Sequence, residues 1–199
     1  MAGPVTDPLR PDPLDLVAEL LRYPRPGYEA SILACRDALA KAHPRAGEGI
    51  ARFARAAEGL RLEELQELYT RSFDLDPVAA LEVGWHLYGE SYDRGRFLVR
   101  MRQLLEEVGV EETTELPDHL ISVLPVLARL EPESAAELAR SSVLPAVARM
   151  LDGLAGNDNP YEDVLRAVAE VLQERFGPTG DLEGAAATEP APHHRRRTR

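Results

Sequence analysis

The chain has 199 residues, 44% of them hydrophobic, which is enough for one domain with a core of its own. Only 6% are aromatic, so we expect a core built mainly of leucine, valine and alanine, a composition that favours helices over sheets. The formal net charge of −11 repels phosphate backbones, which disfavours nucleic-acid binding by the folded part and favours a cationic partner such as a basic peptide.

Three features that the sequence lacks indicate the cellular compartment. No apolar run approaches the roughly 20 residues of a membrane-spanning helix, and the N-terminus lacks the basic and apolar stretches of a secretory signal. The lone cysteine, Cys35, has no partner for an internal disulfide. The sequence therefore predicts a cytoplasmic protein without stable membrane association.

The spacing of apolar residues predicts an all-α fold. They recur at steps of three and four through most of the chain, as in amphipathic helices, and strand-type alternation is nearly absent. We expect a single-domain bundle of eight or nine helices over 12–177. A flexible N-terminus (1–11) precedes it, and a disordered, arginine-ended tail (178–199) follows.

Prolines, glycines and capping residues set the predicted helix boundaries. Asp12-Pro13 and Asp76-Pro77 each combine an N-cap with a proline in the first turn, and Ser91 is expected to cap a further helix. In chain order the predicted helices cover about 13–23, 27–42, 48–58, 62–73, 77–88 and 92–108, then, after an acidic loop at 110–116, one that begins at Pro117 and a last one at 160–176.

Two polar segments with aromatic neighbours stand out as candidate functional surfaces, "GWHLYGESYDRG" (84–95) and "ELPDHL" (115–120). The first concentrates rings at Trp85, Tyr88 and Tyr92 around a predicted helix start. In the second, Asp118 and His119 are expected in the first turn of a helix. Helix starts with acids, rings and a histidine suit an extended, partly basic peptide.

A metal-dependent enzyme is the alternative from a different class. His86 and Glu90 lie four residues apart, as do Glu115 and His119. Di-iron bundles instead use Glu-x-x-His at a spacing of three, with extra glutamates. The chain also lacks a Gly-x-Ser-x-Gly elbow and a glycine-rich phosphate loop. We therefore expect no catalytic residues and no bound metal.

Four segments resemble one known family in order and spacing. The NarJ-type nitrate reductase molybdenum cofactor assembly chaperones are a branch of the redox-enzyme maturation chaperones that includes the TorD and DmsD types. The resemblance covers about 12–177. It is carried by "LYTRSFD" (68–74), "GESYDRG" (89–95), "ELPDHL" (115–120) and "NPYEDVLRAV" (159–168).

The resemblance implies a non-enzymatic chaperone with no permanently bound cofactor. Such proteins bind the unfinished catalytic subunit of a membrane-associated nitrate reductase in the cytoplasm. They recognise its N-terminal, leader-like segment and hold the subunit competent for insertion of the molybdenum cofactor and for membrane assembly. A chaperone for another molybdoenzyme of the dimethyl sulfoxide reductase group stays an alternative. Relatives can exchange helices between protomers, so the resemblance also leaves a homodimer open.

The predicted client-binding set combines the family's motif residues in 89–95 and 116–120 with Trp85, His86 and Tyr88 of the ring-flanked segment. Tyr92 stands where the family often has arginine. We expect the acidic members Glu90, Asp93 and Asp118 to pair with peptide cations, and His119 to make affinity depend on pH near neutrality. The full predicted set is Trp85, His86, Tyr88, Gly89, Glu90, Ser91, Asp93, Arg94, Leu116, Pro117, Asp118 and His119, with Gly95 and Leu120 in the same motifs.

Overall fold

The structure is a computed structural model that describes residues 11–75 and 77–177. These residues form ten α-helices, two π-helical turns and one 3-10 turn. In order they are α1 (Pro13–Leu20), α2 (Tyr28–Ala42), α3 (Pro44–Ala57), α4 (Leu62–Tyr69), a π turn (Thr70–Asp74), the 3-10 turn (Pro77–Ala79), α5 (Val83–Tyr88), α6 (Tyr92–Glu107), α7 (Leu120–Arg129), α8 (Pro132–Leu138), a π turn (Ala139–Val143), α9 (Leu144–Leu154) and α10 (Tyr161–Phe176).

The all-α prediction is confirmed. Since α8, its π turn and α9 follow one another without a break, the described residues form nine continuous helices besides the 3-10 turn. Within them the one strand-type feature is an isolated antiparallel bridge between Glu82 and His119. No helix in this part of the chain is long and apolar enough to cross a membrane.

Local capping signals explain the helix boundaries that were predicted well. The Asp12 carboxylate accepts the Leu14 N–H at 2.9 Å and begins α1 with Pro13 in its first turn. The second helix ends at Ala42 as predicted.

The third helix begins at Pro44, before the predicted residue 48. Its Gly47 lies against α2, where a Cβ would come within 2.6 Å of the Ala40 nitrogen.

The fifth and seventh helices begin later than predicted. The Leu120 N–H donates to the Leu81 carbonyl at 3.0 Å, and the Val83 N–H donates to the Asp118 carbonyl at 2.9 Å. Because these backbone groups pair across two segments, the helix predicted from residue 77 is broken, and α5 begins at Val83. The helix predicted from Pro117 begins at Leu120, with His119 as its N-cap.

A cluster of rings joins the last helix to the first half of the chain. Tyr161 on α10 is fully buried, and its ring centroid lies 5.0 Å from Phe53, 4.9 Å from Phe73 and 5.8 Å from Tyr69. Its hydroxyl lies 3.1 Å from that of Tyr28, which donates to the Leu20 carbonyl at 2.6 Å. This cluster fixes the position of α4 and the turn that follows it.

Three predictions fall on residues outside the described part of the chain. They are the flexible N-terminus, apart from Pro11, the disordered tail at 178–199, and the cap at Asp76.

Candidate peptide-binding site

The two candidate segments lie side by side. The Glu82–His119 bridge joins the residues just before "GWHLYGESYDRG" to "ELPDHL". The hydrogen bonds from Val83 to Asp118 and from Leu120 to Leu81 flank this bridge. The start of α5 and the start of α7 are therefore held together by backbone pairing, and their side chains share one region of the surface.

Asp118 is a buried supporting residue of this region. It is fully buried, and its Oδ2 accepts the Gly84 N–H at 2.9 Å, which caps the first turn of α5. Its Oδ1 is buried and has no hydrogen-bond partner among the described residues. Burial raises the pKa of this carboxyl, while the Gly84 N–H and the Arg94 cation act in the opposite direction. The expectation that Asp118 lies in the first turn of a helix is wrong, because Asp118 is buried in the turn before α7.

Arg94 and Trp85 complete this support. The guanidinium carbon of Arg94 lies 5.4 Å from the centroid of the half-buried Trp85 ring, in cation–π geometry. The Arg94 Nε is buried and, like Asp118 Oδ1, has no hydrogen-bond partner among the described residues. Arg94 on α6 thus supplies the positive charge that faces Asp118 and holds the α5–α6 pair against the start of α7.

His119 is the N-cap of α7, and it caps the helix through one of its ring nitrogens. The side chain is 5% exposed, and its Nδ1 accepts the Ile121 N–H at 3.2 Å. Burial lowers the pKa of His119 to about 4, so the ring is neutral at pH 7 with its proton on Nε2. The expected change of charge near neutrality therefore does not arise from this ring.

The His86 ring and the His86 backbone are both held by hydrogen bonds. The ring Nε2 lies 2.6 Å from the Ala80 carbonyl, the His86 carbonyl accepts from Arg149, and burial lowers the pKa of the ring. Over 11–75 and 77–177, no group of three or more histidine, cysteine, aspartate or glutamate side chains could hold a metal ion. The pairs His86–Glu90 and Glu115–His119 thus lack the further ligands that a metal-dependent enzyme needs.

The other predicted client-binding residues differ in exposure. Pro117 is buried. Tyr92, which lies between Ser91 and Asp93 but is not in the set, is 84% exposed. Ser91 precedes α6 as expected, but its side chain makes no capping hydrogen bond. Those with exposed side chains are Tyr88, Glu90, Ser91, Asp93 and Leu116.

A pocket of about 420 Å³ opens beside His119. We call it the acidic pocket. Tyr69 and Phe73 are buried rings in its wall, and Tyr23 is an exposed one that meets Tyr69 edge to face at 5.5 Å. The pocket is lined by Tyr23, Tyr69, Phe73, Asp74, Ala80, Leu81, Glu82, Glu115 and His119.

The charges of this pocket have one sign. None of its lining residues is a lysine or arginine, and Asp74, Glu82 and Glu115 make no ion pair within the described ranges. Burial, followed by the negative charges of these three residues and the nearby Tyr161, raises the pKa of Tyr69. Carboxylates beside aromatic rings suit an ammonium or guanidinium group.

Sequence reasoning did not place Tyr23, Tyr69, Phe73, Asp74 or Glu82 in the site. Three of these, Tyr69, Phe73 and Asp74, lie in "LYTRSFD" (68–74), a segment that carried the family resemblance but was not placed in the site. That segment was the available signal, since it brings a ring and a carboxylate next to each other at the end of a helix.

An all-helical bundle with an open, acidic, ring-lined pocket is suited to binding a cationic ligand. Residues 36–176 match the family described as the nitrate reductase delta subunit, and the chain belongs to that family. The match confirms the resemblance that the four sequence segments indicated.

Curated relatives carry more specific names. The nitrate reductase molybdenum cofactor assembly chaperone NarJ of Escherichia coli (strain K12) is 32% identical over 99 residues, which are 49% of this chain and 42% of the relative. The probable nitrate reductase molybdenum cofactor assembly chaperone NarJ of Bacillus subtilis (strain 168) is 31% identical over 124 residues, 62% of this chain and 66% of the relative. The matches thus span less than half of the first relative. Both relatives are named as chaperones and not as enzymes.

Proposed function

We propose that this protein is a nitrate reductase molybdenum cofactor assembly chaperone. It binds the apo form of the catalytic subunit in the cytoplasm, through the subunit's N-terminal leader-like segment. It keeps that subunit competent for insertion of the molybdenum cofactor and for membrane assembly. The chaperone itself catalyses no reaction and holds no cofactor permanently. The family match and the names of the curated relatives support this function.

The acidic pocket is the observation that carries the proposal. A cation of the client segment enters between Glu82 and Glu115 and lies against the Tyr23 ring, where charge and ring face both favour it. The Nε2–H of His119 is available to donate to a carbonyl of the bound peptide, because Nδ1 already accepts from Ile121. The net charge of −11 adds long-range attraction for a basic segment.

The predicted motif residues take two roles under this proposal. One group supports the site without contacting the client: Trp85, Arg94 and Asp118. This group fixes α5 and the turn before α7, and thereby the pocket wall that carries Glu82 and His119. The exposed members of the set extend the contact surface for the client. Among them, Glu90 and Asp93 are the exposed acids that can meet peptide cations from solvent, and Asp93 also pairs with Arg96 at 3.6 Å.

Calorimetric titration with the N-terminal peptide of the nitrate reductase catalytic subunit from the same organism tests the function. We expect saturable binding that a scrambled peptide does not show. Glu115→Gln removes one pocket charge and should weaken binding about three- to tenfold. Glu107→Gln is the matched control, because Glu107 is exposed on α6 and does not line the pocket.

The outcome that overturns the proposal is equally specific. Wild-type protein that binds neither the peptide nor the full apo-subunit is not a chaperone for this client. Equal affinities for Glu115→Gln and wild type, with binding intact, would remove the acidic pocket from the site.

A further inference from the structure

A second cavity, of about 620 Å³, lies between α2, α3 and the start of α4. We call it the leucine groove. Ile32 and Leu65 form a buried floor, while Leu33 is 41% and Leu60 38% exposed. Exposed leucines that line a concave surface leave apolar area open to a partner.

The leucine groove continues the acidic pocket along α4. Leu65 lines the groove and Tyr69 lines the pocket, so the two share one face of the helix, about 6 Å apart along its axis. The loop before α2 contributes to both in the same order, with Tyr23 in the pocket and Arg25 in the groove. Pro24, between Tyr23 and Arg25, lines neither cavity, and its loop separates the two.

A hydrogen bond from α4 holds this separating loop in place. The Gln66 side-chain amide donates to the Pro24 carbonyl at 3.0 Å. Pro24 is buried, so the loop between Tyr23 and Arg25 is fixed against α4. Two extended residues of a peptide span about 7 Å, comparable with the rise of about 6 Å between Leu65 and Tyr69 along α4.

The rims of the two cavities differ in charge. The groove is bordered by Arg25, Arg36 and Arg55 together with Glu29 and Glu58, and Arg36 pairs with Asp37 at 2.8 Å, so its rim is balanced in charge, unlike the acidic pocket. A cationic stretch is therefore favoured in the pocket over the groove.

We propose that the leucine groove receives apolar side chains of the same client segment whose cation enters the acidic pocket. The segment is read in two halves across α4, and the excess of carboxylates in the pocket over the groove fixes its direction. This inference rests on the proposed function. Two linked contacts on one peptide multiply in affinity, which lets two modest surfaces give a specific complex.

Photo-crosslinking on the full chain tests the path of the peptide. A p-benzoylphenylalanine at position 33 is exposed to the groove, and one at position 99 replaces Val99, which is 55% exposed on α6 and lines neither cavity. With the client's N-terminal peptide as probe, we expect adducts from position 33 on the apolar half of the peptide. Position 99 should give none.

Affinity measurements supply the second arm. Leu33→Gln should weaken peptide binding about fivefold by removing apolar contact, and Val99→Gln should leave it unchanged. A peptide with glutamine in place of its apolar residues should lose affinity for wild type but lose little more for Leu33→Gln. Circular dichroism melts check that both exposed substitutions leave the fold intact.

Failure of this inference differs from failure of the proposed function. Wild type that binds the peptide, with affinity lowered by Glu115→Gln but not by Leu33→Gln and with no adduct at position 33, overturns the two-part site alone. An adduct from position 33 to a second copy of the chain in the absence of peptide makes the groove a dimer contact and also overturns it. Loss of all binding to peptide and apo-subunit overturns the function itself.

Discussion

Gly84 and Asp118 lie in direct contact at the junction that builds the site. The Gly84 N–H donates to Asp118 Oδ2 at 2.9 Å, and a Cβ on Gly84 would lie 2.6 Å from that oxygen and 3.0 Å from a Phe97 ring carbon. The absence of a side chain at residue 84 is therefore what lets a buried carboxylate cap α5.

Gly84→Ala should consequently destabilise the protein. The added methyl overlaps Asp118 Oδ2, so the capping bond must lengthen or α5 must shift, and we expect the free energy of unfolding to fall by about 1–3 kcal/mol. Urea unfolding followed by circular dichroism measures it. Gly95→Ala is the control: Gly95 lies in α6 with nothing within 4 Å of a new Cβ, so stability should rise by about 0.5–1 kcal/mol. Equal effects of the two substitutions would contradict this account.

Arg94 and Asp118 should be coupled in a double-mutant cycle. Arg94 favours the charged form of the fully buried Asp118, so Arg94→Ala and Asp118→Ala should each lower the free energy of unfolding by about 1–3 kcal/mol. The double variant should cost less than the sum by about 1–3 kcal/mol. Unfolding free energies of the four proteins give the coupling, and strict additivity would show that the two charges do not interact.

Helices whose starts depend on local signals could be predicted from the sequence. Asp12 caps α1 through a bond two residues away, and the Asn159 side chain likewise accepts the Tyr161 N–H at 3.0 Å where α10 begins. The starts of α5 and α7 could not be predicted in this way. They depend on pairing between Leu81–Val83 and Asp118–Leu120, which are distant in the sequence, and nothing local marks that pairing.

The same distinction between local signals and long-range pairing explains which parts of the site could be predicted. The two motif segments were recognised because each is contiguous, but the acidic pocket combines Tyr23, Asp74, Glu82 and Glu115 from four separate stretches. The packing of α4 against the loop before α2 brings Tyr23 to the end of α4, and the Glu82–His119 bridge brings Glu82 beside the segment that carries Glu115. Burial of Asp118 was missed for a related reason, because periodicity predicts which face of a helix is buried but not which turn is covered by another segment.

The Tyr28 hydroxyl should contribute measurably to the stability of the core. It donates to the Leu20 carbonyl at 2.6 Å and lies 3.1 Å from the Tyr161 hydroxyl. Tyr28→Phe leaves a buried carbonyl without this partner, and we expect a loss of about 1–2 kcal/mol in the free energy of unfolding. Tyr92→Phe removes a hydroxyl from a ring that is 84% exposed and should change nothing. A Tyr28→Phe protein as stable as wild type would mean that water replaces the lost bond.

His119 should make stability, rather than client affinity near neutrality, depend on pH. Its pKa in the folded state is about 4, below the ordinary value of 6.5, so the unfolded chain binds the proton more tightly. The stabilisation is fully present above about pH 6.5 and is lost as the pH falls towards 4, with about 2 kcal/mol lost between pH 7 and 5. His119→Asn keeps a side-chain acceptor for the α7 cap but does not titrate.

Urea midpoints of both proteins at pH 7 and pH 5 separate this effect from the other titrating groups. His86, whose pKa is also lowered, contributes equally to both proteins and cancels in the comparison. We expect wild type to lose about 2 kcal/mol more than His119→Asn over that interval. Parallel losses in the two proteins would mean that the ring is protonated in the folded state at pH 5, and hence that the junction opens to water where the structure shows it closed.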